Sequence, residues 1–318
     1  MQRYLARRLL LLIPTLFLAS VLVFAIIALA PGDPARMMLG SQATPEEIAV
    51  ERERLGLNRS LPVRYGIWLT DVVSLNLGVS QASRRPVASL IADAVPNTLR
   101  LALISLGVAI LVGFPLGIFA ALNSGRRADT AITTLNSLGL ATPAFWLALL
   151  LIMVFSVQLQ WLPASGIGEP SWPLYERLHF LILPIITIAV SNSSVFSRYV
   201  RSAMIDVLST DYVRTARAKG LAEWAVVARH ALRNALIPVV TIVGIQFGRL
   251  LGGAVVTESV FAYPGIGRLV INSIANRDYP VVQATLMLVV VIFLVTNIVV
   301  DLSYAYLDPR VKMERGRG

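Results

Sequence analysis

The sequence predicts an all-α integral membrane protein of about six transmembrane helices, with both termini cytoplasmic. Three observations predict it. Of 318 residues, 56% are hydrophobic and only 14% charged, with a mean hydropathy of +0.71, whereas a soluble domain carries roughly 25% charged residues. Apolar runs long enough to cross a bilayer recur along the chain. Basic residues gather in alternate connecting segments. Six core helices of a soluble protein would need far more amphipathic covering sequence than this chain has.

Five runs approach or exceed the ~20 residues that span a hydrocarbon core. They are residues 9–30, 99–122, 178–196, 235–256 and 281–300. A sixth, 141–157, is shorter but free of charge. The first follows Arg3, Arg7 and Arg8 and ends in Ala-Leu-Ala, which imitates a signal peptide. It is longer than the ~7–15 residues of a signal core, and Pro31 directly follows the would-be cleavage site. It reads as a retained helix. The division that follows is 1–30 (basic segment and first helix), 31–98 (extracytoplasmic loop subdomain), 99–305 (a five-helix core that includes a basic loop at 198–234) and 306–318 (basic tail).

Net charge is +10, almost all of it arginine, since Lys219 and Lys312 are the only lysines. Arg126 and Arg127 lie between the second and third runs. Arg198, Arg201, Arg214, Arg217, Lys219, Arg229 and Arg233 lie between the fourth and fifth. Arg310, Lys312, Arg315 and Arg317 close the chain. The alternate short loops hold Arg177, or Arg268 and Arg277, and the long 31–97 loop is mixed in charge. The positive-inside rule therefore places both termini and the 198–234 loop in the cytoplasm. Topology alone explains this bias, so the loop does not need a nucleic-acid role.

Segment 31–97 then lies outside. Thr44-Pro45-Glu46-Glu47 reads as a capped helix start, and a short amphipathic helix runs to Gly56. Tyr65, Trp68 and Leu69 predict packed structure there.

The 198–234 loop is the most informative stretch. Ser209, Thr210 and Asp211 offer N-caps. Arg214, Arg217 and Lys219 complement the helix end that follows, Gly220 supplies a stop, and a second helix runs over 223–234. The small residues Ala216, Ala218 and Gly220 leave little bulk, which suits a helix seated in a partner's groove. An interfacial helix meeting anionic lipid fits the same residues.

Within the spans, Gly244, Gly248 and Gly252 recur every four residues, as do Gly113 and Gly117. Both sets read as close helix packing. Arg249 stands in the fifth run, where a lone cation costs several kcal/mol unless it is paired or hydrated. It either lines a water-filled pathway and meets a substrate carboxylate, or packs in the bundle or snorkels to the outer interface. Glu258 belongs to an outer gate or caps structure. Tyr263-Pro264-Gly265 is a turn, and Ile266–Ala275 a short helix. It covers the pathway, contacts a partner, or simply connects.

Several chemistries are disfavoured. There is no cysteine, so no thiolate metal site or disulfide framework is available. His179 and His230 lie far apart, and no metal or cofactor site is expected on this chain. Neither lysine sits in a phosphate-binding glycine loop, so any ATP is used by partner subunits. Ser105, Ser156, Ser191 and Ser197 have no His or Asp at a suggestive spacing in their own helices, which counts against an intramembrane hydrolase. An ion-driven secondary transporter is the competing class. It predicts an inverted repeat and buried acidic groups, and neither is evident.

The runs "DYVRTARAKGL" at 211–221 and "RHALRNALIPVVT" at 229–241 resemble the cytoplasmic loop of ABC-importer inner-membrane permeases, in particular the dipeptide/oligopeptide/nickel group. "APGDPA" at 30–35, "ATPEEI" at 43–48, "LGVS" at 77–80, "PNTLRLAL" at 96–103 and "GGAVVTESVFAYPGIGRL" at 252–269 are similar to the same group. The resemblance spans essentially the whole chain. Where the wider pattern opens Glu-Ala-Ala, this sequence has Arg214-Thr215-Ala216, and its distance from Gly220 to Pro238 is longer. Both departures resemble the peptide-group variant. The resemblance implies a type I-like permease that forms half of a peptide pathway. It implies a second permease, two ATPase subunits and an extracytoplasmic substrate-binding protein. It also implies that the loop is the coupling helix, carried by Ala216 and Gly220 and by the flanking Asp211, Arg214, Thr215, Arg217, Ala218, Lys219 and Leu221.

Overall fold

A computed structural model describes residues 2–29, 32–39, 42–169 and 171–307. The basic residues of the C-terminal tail, Arg310 to Arg317, lie outside them, as do the side chains of Arg3, Arg7 and Arg8. In chain order the helices are α1 Gln2–Ala28, α2 Pro34–Leu39, α3 Pro45–Arg54, α4 Leu61–Val73, α5 Val87–Leu122, α6 Arg127–Ala141 and α7 Ala144–Leu151. Then come α8 Leu174–Leu208, α9 Asp211–Ala218, α10 Glu223–Ala225, α11 Leu232–Gly253, α12 Val255–Val260, α13 Ile266–Ala275 and α14 Tyr279–Leu307. Two π-helical stretches, Ile152–Gln158 and Val226–Ala231, continue α7 and lead into α11.

Five helices are long and apolar enough to cross a membrane, and a sixth span is available if one bent pair counts as a single crossing. That pair corrects the sequence reading of 141–157. The apolar run is only its second limb. The first limb, α6, joins it at a 98° bend. Pro143 explains the break, since it holds Thr142 in extended conformation (ψ 119°). Asp129, Thr133 and Asn136 lower the hydropathy of α6, which hid it among the polar connections.

The chain divides into two compact units. One consists of Pro96–Arg268 and the chain from Phe293 onward. Its organiser is α8, whose middle reads Ser191-Asn192-Ser193-Ser194 and continues to Ser197. Three helices meet that stretch. A Cβ added at Gly113 of α5 would lie 2.6 Å from the Ser193 carbonyl, and one at Gly117 would lie 2.5 Å from that of Ser197. Glycine is needed at both points because backbone faces backbone. On α6, Gly139 abuts the Ser194 hydroxyl, and the Asn136 amide donates to Ser197 Oγ at 2.9 Å. On α11, the Gln246 amide donates to Asn192 Oδ1 at 3.0 Å. Further along α8, Arg201 forks onto the buried Asp129 through Nε at 2.5 Å and an Nη at 2.7 Å. Apolar packing fills the spaces between these contacts, with Ala121, Val200, Met204, Ala235 and Val239 in one cluster.

The other unit consists of Gln2–Val95 and Leu269–Ile292. Here Thr44 and Glu47 form a reciprocal capping box at the start of α3. The Thr44 N–H and hydroxyl hold the Glu47 carboxyl below its ordinary range. Gly56 follows at φ +65°. Tyr65 and Trp68 of α4 pack on Phe24 of α1 with ring centroids 5.5 and 5.7 Å away. The buried Asp278 accepts from Ser80 Oγ at 2.5 Å and from the backbone N–H groups of Gln81 and Ala82 at 3.1 and 3.3 Å.

The glycine contacts carry a paired prediction. Gly117→Ala forces a Cβ against the α8 backbone and lowers stability by about 1–3 kcal/mol. Gly107→Ala on the same helix meets nothing within 4 Å and raises helix propensity by about 0.5–1 kcal/mol. Thermal unfolding of the two variants in one detergent checks this. Equal melting temperatures would remove the close-contact account of α5 and α8.

Candidate functional site

The loop between α8 and α11 folds as a helix, a glycine turn and a second helix. Thr210 takes the extended N-cap conformation, and Val213 and Ala216, three residues apart, turn inward. Both are buried with Val226 beneath Val207 and Leu208. The opposite face carries Arg214, Thr215, Arg217 and Ala218, all exposed. Lys219 N–H donates to Thr215 O, and Gly220 N–H to Arg217 O. Gly220 itself sits at φ +77° with open space where a Cβ would be, so conformation demands glycine here.

Ion pairs brace the turn. Arg217 forks onto Glu223 at 3.1 and 2.6 Å, which raises the guanidinium's already high pKa. Arg214 reaches Asp211 at 3.3 Å on a fully exposed surface, where such a pair adds little. Tyr212 Oη accepts from the Asn234 amide at 2.8 Å and ties α9 to α11.

One sequence assignment changes. Ala216 was expected on an open surface of small residues, but it is buried. Its small size lets α9 lie close to its own chain. The open part of that surface is Ala218, Gly220 and Leu221. Sequence reading stopped at Leu221 and passed over Trp224, which is 69% exposed. The missed signal was a large aromatic side chain within a basic loop.

The sequence left Glu258 either at an outer gate or as a cap of structure, and it lies at 0% exposure. Its carboxylate accepts from Thr98 Oγ1 at 2.6 Å, Gly267 N–H at 2.7 Å and Arg268 N–H at 3.3 Å. It thus supplies the anion at the N-terminus of α13. Thr98 Oγ1 accepts in turn from Ile266 N–H at 2.8 Å, and Tyr263 Oη donates to Asn97 O at 3.1 Å. Gly265 is pressed against the Glu258 carboxylate and Gly267 against the Val255 backbone, so neither site admits a Cβ. The Tyr-Pro-Gly-Ile-Gly run is therefore a fitted turn around a buried carboxylate.

Arg249 is exposed on α11, and its guanidinium donates to Gln246 Oε1 at 3.4 Å. Gly248 is buried, 3.4 Å from the Thr296 methyl of α14 by its would-be Cβ. Gly244 is half-buried. Gly252 is in the last turn of α11, and its surroundings fall outside the described residues. Among the described residues no group of three or more His, Asp or Glu side chains is placed to hold a metal.

Residues 113–313 match the family described as binding-protein-dependent transport system inner membrane component. Residues 1–102 match the N-terminal family of the same system. The glutathione transport system permease protein GsiC of Salmonella typhi is 46% identical over 312 residues, covering 98% of this chain and 99% of its own length. The GsiC protein of Escherichia coli K12 is 45% identical over the same extent. Among solved structures, the inward-facing MetNI methionine ABC transporter aligns with a TM-score of 0.59 at 18% identity, over 70% of this chain and 98% of that one. An amino acid ABC transporter aligns at 0.51 and 15% identity, over 69% and 94%. The structural likenesses speak to fold, and the sequence matches settle the family. With its spans, its bundle around α8 and these matches, the chain belongs to the binding-protein-dependent transport system inner membrane components, as a multi-pass permease subunit of an ABC importer in the bacterial inner membrane.

Proposed function

We propose that the chain forms half of a pathway for di- or oligopeptides or a related small solute, and that α9 couples it to a separate ATPase. The observation that carries the coupling is the loop's construction. One face of α9 is fixed to its own chain by Val213 and Ala216, while Arg214 and Ala218 on the helix and Leu221 and Trp224 just beyond it remain exposed. Such a helix transmits a push from a partner instead of yielding to it. Leu221 and Trp224 offer apolar anchors, and Asp211, Arg214, Thr215, Arg217 and Lys219 around them fix register.

The arginine distribution supports placing this loop and both termini in the cytoplasm. The absence of a phosphate-binding glycine-lysine loop from the sequence supports locating ATP hydrolysis in partner subunits. Glutathione, the solute in the relatives' name, is a small peptide, which supports the peptide class. The complex then comprises this chain, a second permease, two ATPase subunits and an extracytoplasmic binding protein. It works by alternating access, and this chain performs no covalent chemistry.

Tagging the chain, extracting it in mild detergent and identifying what co-purifies tests the assembly. Two ATPase subunits and a second permease are expected. A lone chain or homodimer that is stable in several detergents would point to a secondary transporter. Gly220→Arg tests the coupling. The chain still inserts, but the turn is strained by about 1–2 kcal/mol and the added cation obstructs docking. The amount of ATPase retained on the purified complex, and ATP-driven uptake into vesicles, should both fall about tenfold or more. Wild-type assembly and uptake would show that the docking surface lies elsewhere.

A further inference from the structure

Arg249 stands four residues before the end of α11, level with the middle of the apolar run of α8. Helices α8 and α11 run antiparallel, with Ala235 and Val239 in one cluster with Val200 and Met204 and Gln246 bonded to Asn192. Continuing that register sets Arg249 level with Ala189. The apolar run 178–196 of α8 has its midpoint at residue 187, so Arg249 lies only about 3 Å from that midpoint along the axis. At the level of an apolar run a cation is costly against lipid.

The surrounding hydrogen bonds run in one direction. Asn192 Nδ2 donates to Ile188 O at 2.8 Å, Gln246 Nε2 donates to Asn192 Oδ1, and Arg249 donates to Gln246 Oε1. Both ends of each amide are committed, so Gln246 is held with its oxygen toward the guanidinium. Arg249 uses one edge weakly, at 3.4 Å, and no carboxylate among the described residues pairs with it. The Arg249 side chain is exposed, as is Ile245 one turn away. A planar fork of donors anchored on one edge and free on the other fits a carboxylate.

We infer that Arg249, positioned by Gln246 and Asn192, is the subsite of the translocation pathway that receives a free carboxylate of the transported solute. This rests on the permease reading above and adds a named contact to it. The electrostatics favour transit over trapping. A single guanidinium in a wet lane attracts an anion modestly, while a fully enclosed one would hold it.

Because the chain has no cysteine, a single one introduced into it reports on its own position once the reaction of the unsubstituted complex is subtracted. The experiment uses Ile245→Cys, one turn from Arg249, in the assembled complex in inside-out vesicles. It compares an anionic methanethiosulfonate sulfonate with a cationic methanethiosulfonate ammonium reagent, each normalised to its rate with a free thiol. The anionic reagent should react about tenfold faster, and Arg249→Gln should erase that preference while Arg249→Lys keeps it. A millimolar mixture of di-, tri- and tetra-alanine as free acids should slow the anionic reaction, and the same peptides as C-terminal amides should not. No reaction with either reagent would place this face against lipid or a subunit and overturn the inference. A charge preference that is absent, or that survives Arg249→Gln, would also overturn it, as would equal protection by acids and amides or none by either. Failure of the Arg249→Gln complex to assemble would make Arg249 an interface residue instead. None of these outcomes depends on ATP coupling, which the Gly220 variant tests separately.

Discussion

The fold depends on how closely other helices approach the middle of α8. In lipid, burying an apolar side chain against a neighbouring helix gains little, because the hydrocarbon already solvates it. Association must come from close packing and from hydrogen bonds with no water to compete. The α8 middle supplies both. Ser193 and Ser197, four residues apart, meet Gly113 and Gly117 at the same spacing. Asn192 and Ser197 bond amides from two other helices. Each of α5, α6 and α11 thus has a fixed register against α8, which a surface of leucine alone would leave free to slide. The Asp129–Arg201 fork extends this at one end of α8, where the guanidinium is partly exposed and the pair's worth is reduced by solvent.

Two buried carboxylates do comparable work within their own units. Glu258 gathers Thr98 and the first turn of α13, while Asp278 gathers the turn at Ser80 to Ala82. A buried carboxylate costs less when several donors surround it, and here most of the donors are backbone N–H groups. Those N–H groups would otherwise be orphans of a turn or helix start. One side chain therefore satisfies several main-chain groups, and its specificity comes from position. This explains why the turn around Glu258 is so rich in glycine: the backbone must come within bonding distance, and a Cβ at Gly265 or Gly267 would occupy the space.

Much of this was legible in the sequence. Hydropathy and length marked the five long spans, because a bilayer imposes a length that few other environments require. The Thr44 capping box and the stop at Gly220 were legible because both rest on local backbone geometry. What could not be read depended on the helix opposite. The bend at Pro143 was missed because α6 hides its apolar face behind Asp129 and Asn136, polar residues whose partners lie on α8. Ala216 seemed a surface residue because smallness serves an open face and a tight contact equally. Of the α8 serines the sequence singled out only Ser191 and Ser197, as nucleophiles without a partner, and gave no role to Ser193. Only the match in spacing of Ser193 and Ser197 to Gly113 and Gly117, on another helix, identifies them as packing sites. Arg249 could be given a position along its helix but no depth until the Gln246–Asn192 bond fixed the register.

The same connectivity links the loop to the middle of the membrane. From Glu223 to Gly253 the backbone is helical throughout, and it includes the π-helical Val226–Ala231. A π turn is wider and less regularly bonded than an α turn, and it often marks functional segments. A few residues further on, Pro238 lacks the N–H that would bond to Asn234 O. The segment between α9 and the body of α11 therefore bends more easily than what lies beyond it. Past Val239 the helix is fixed to α8 by Gln246 and to α14 by Gly248. The α9 helix meets α8 through the short Ser209–Thr210 connection and the Val213–Leu208 contact, and meets α11 through the Tyr212–Asn234 bond. The loop is therefore braced against both helices, and the π-helical stretch and Pro238 lie between that brace and the Gln246–Asn192 bond. The Asn192–Gln246–Arg249 row crosses the same pair of helices on the far side of Pro238, so the chain from Asn234 to Gln246 is held to its neighbours at both ends and carries its one missing backbone donor between them.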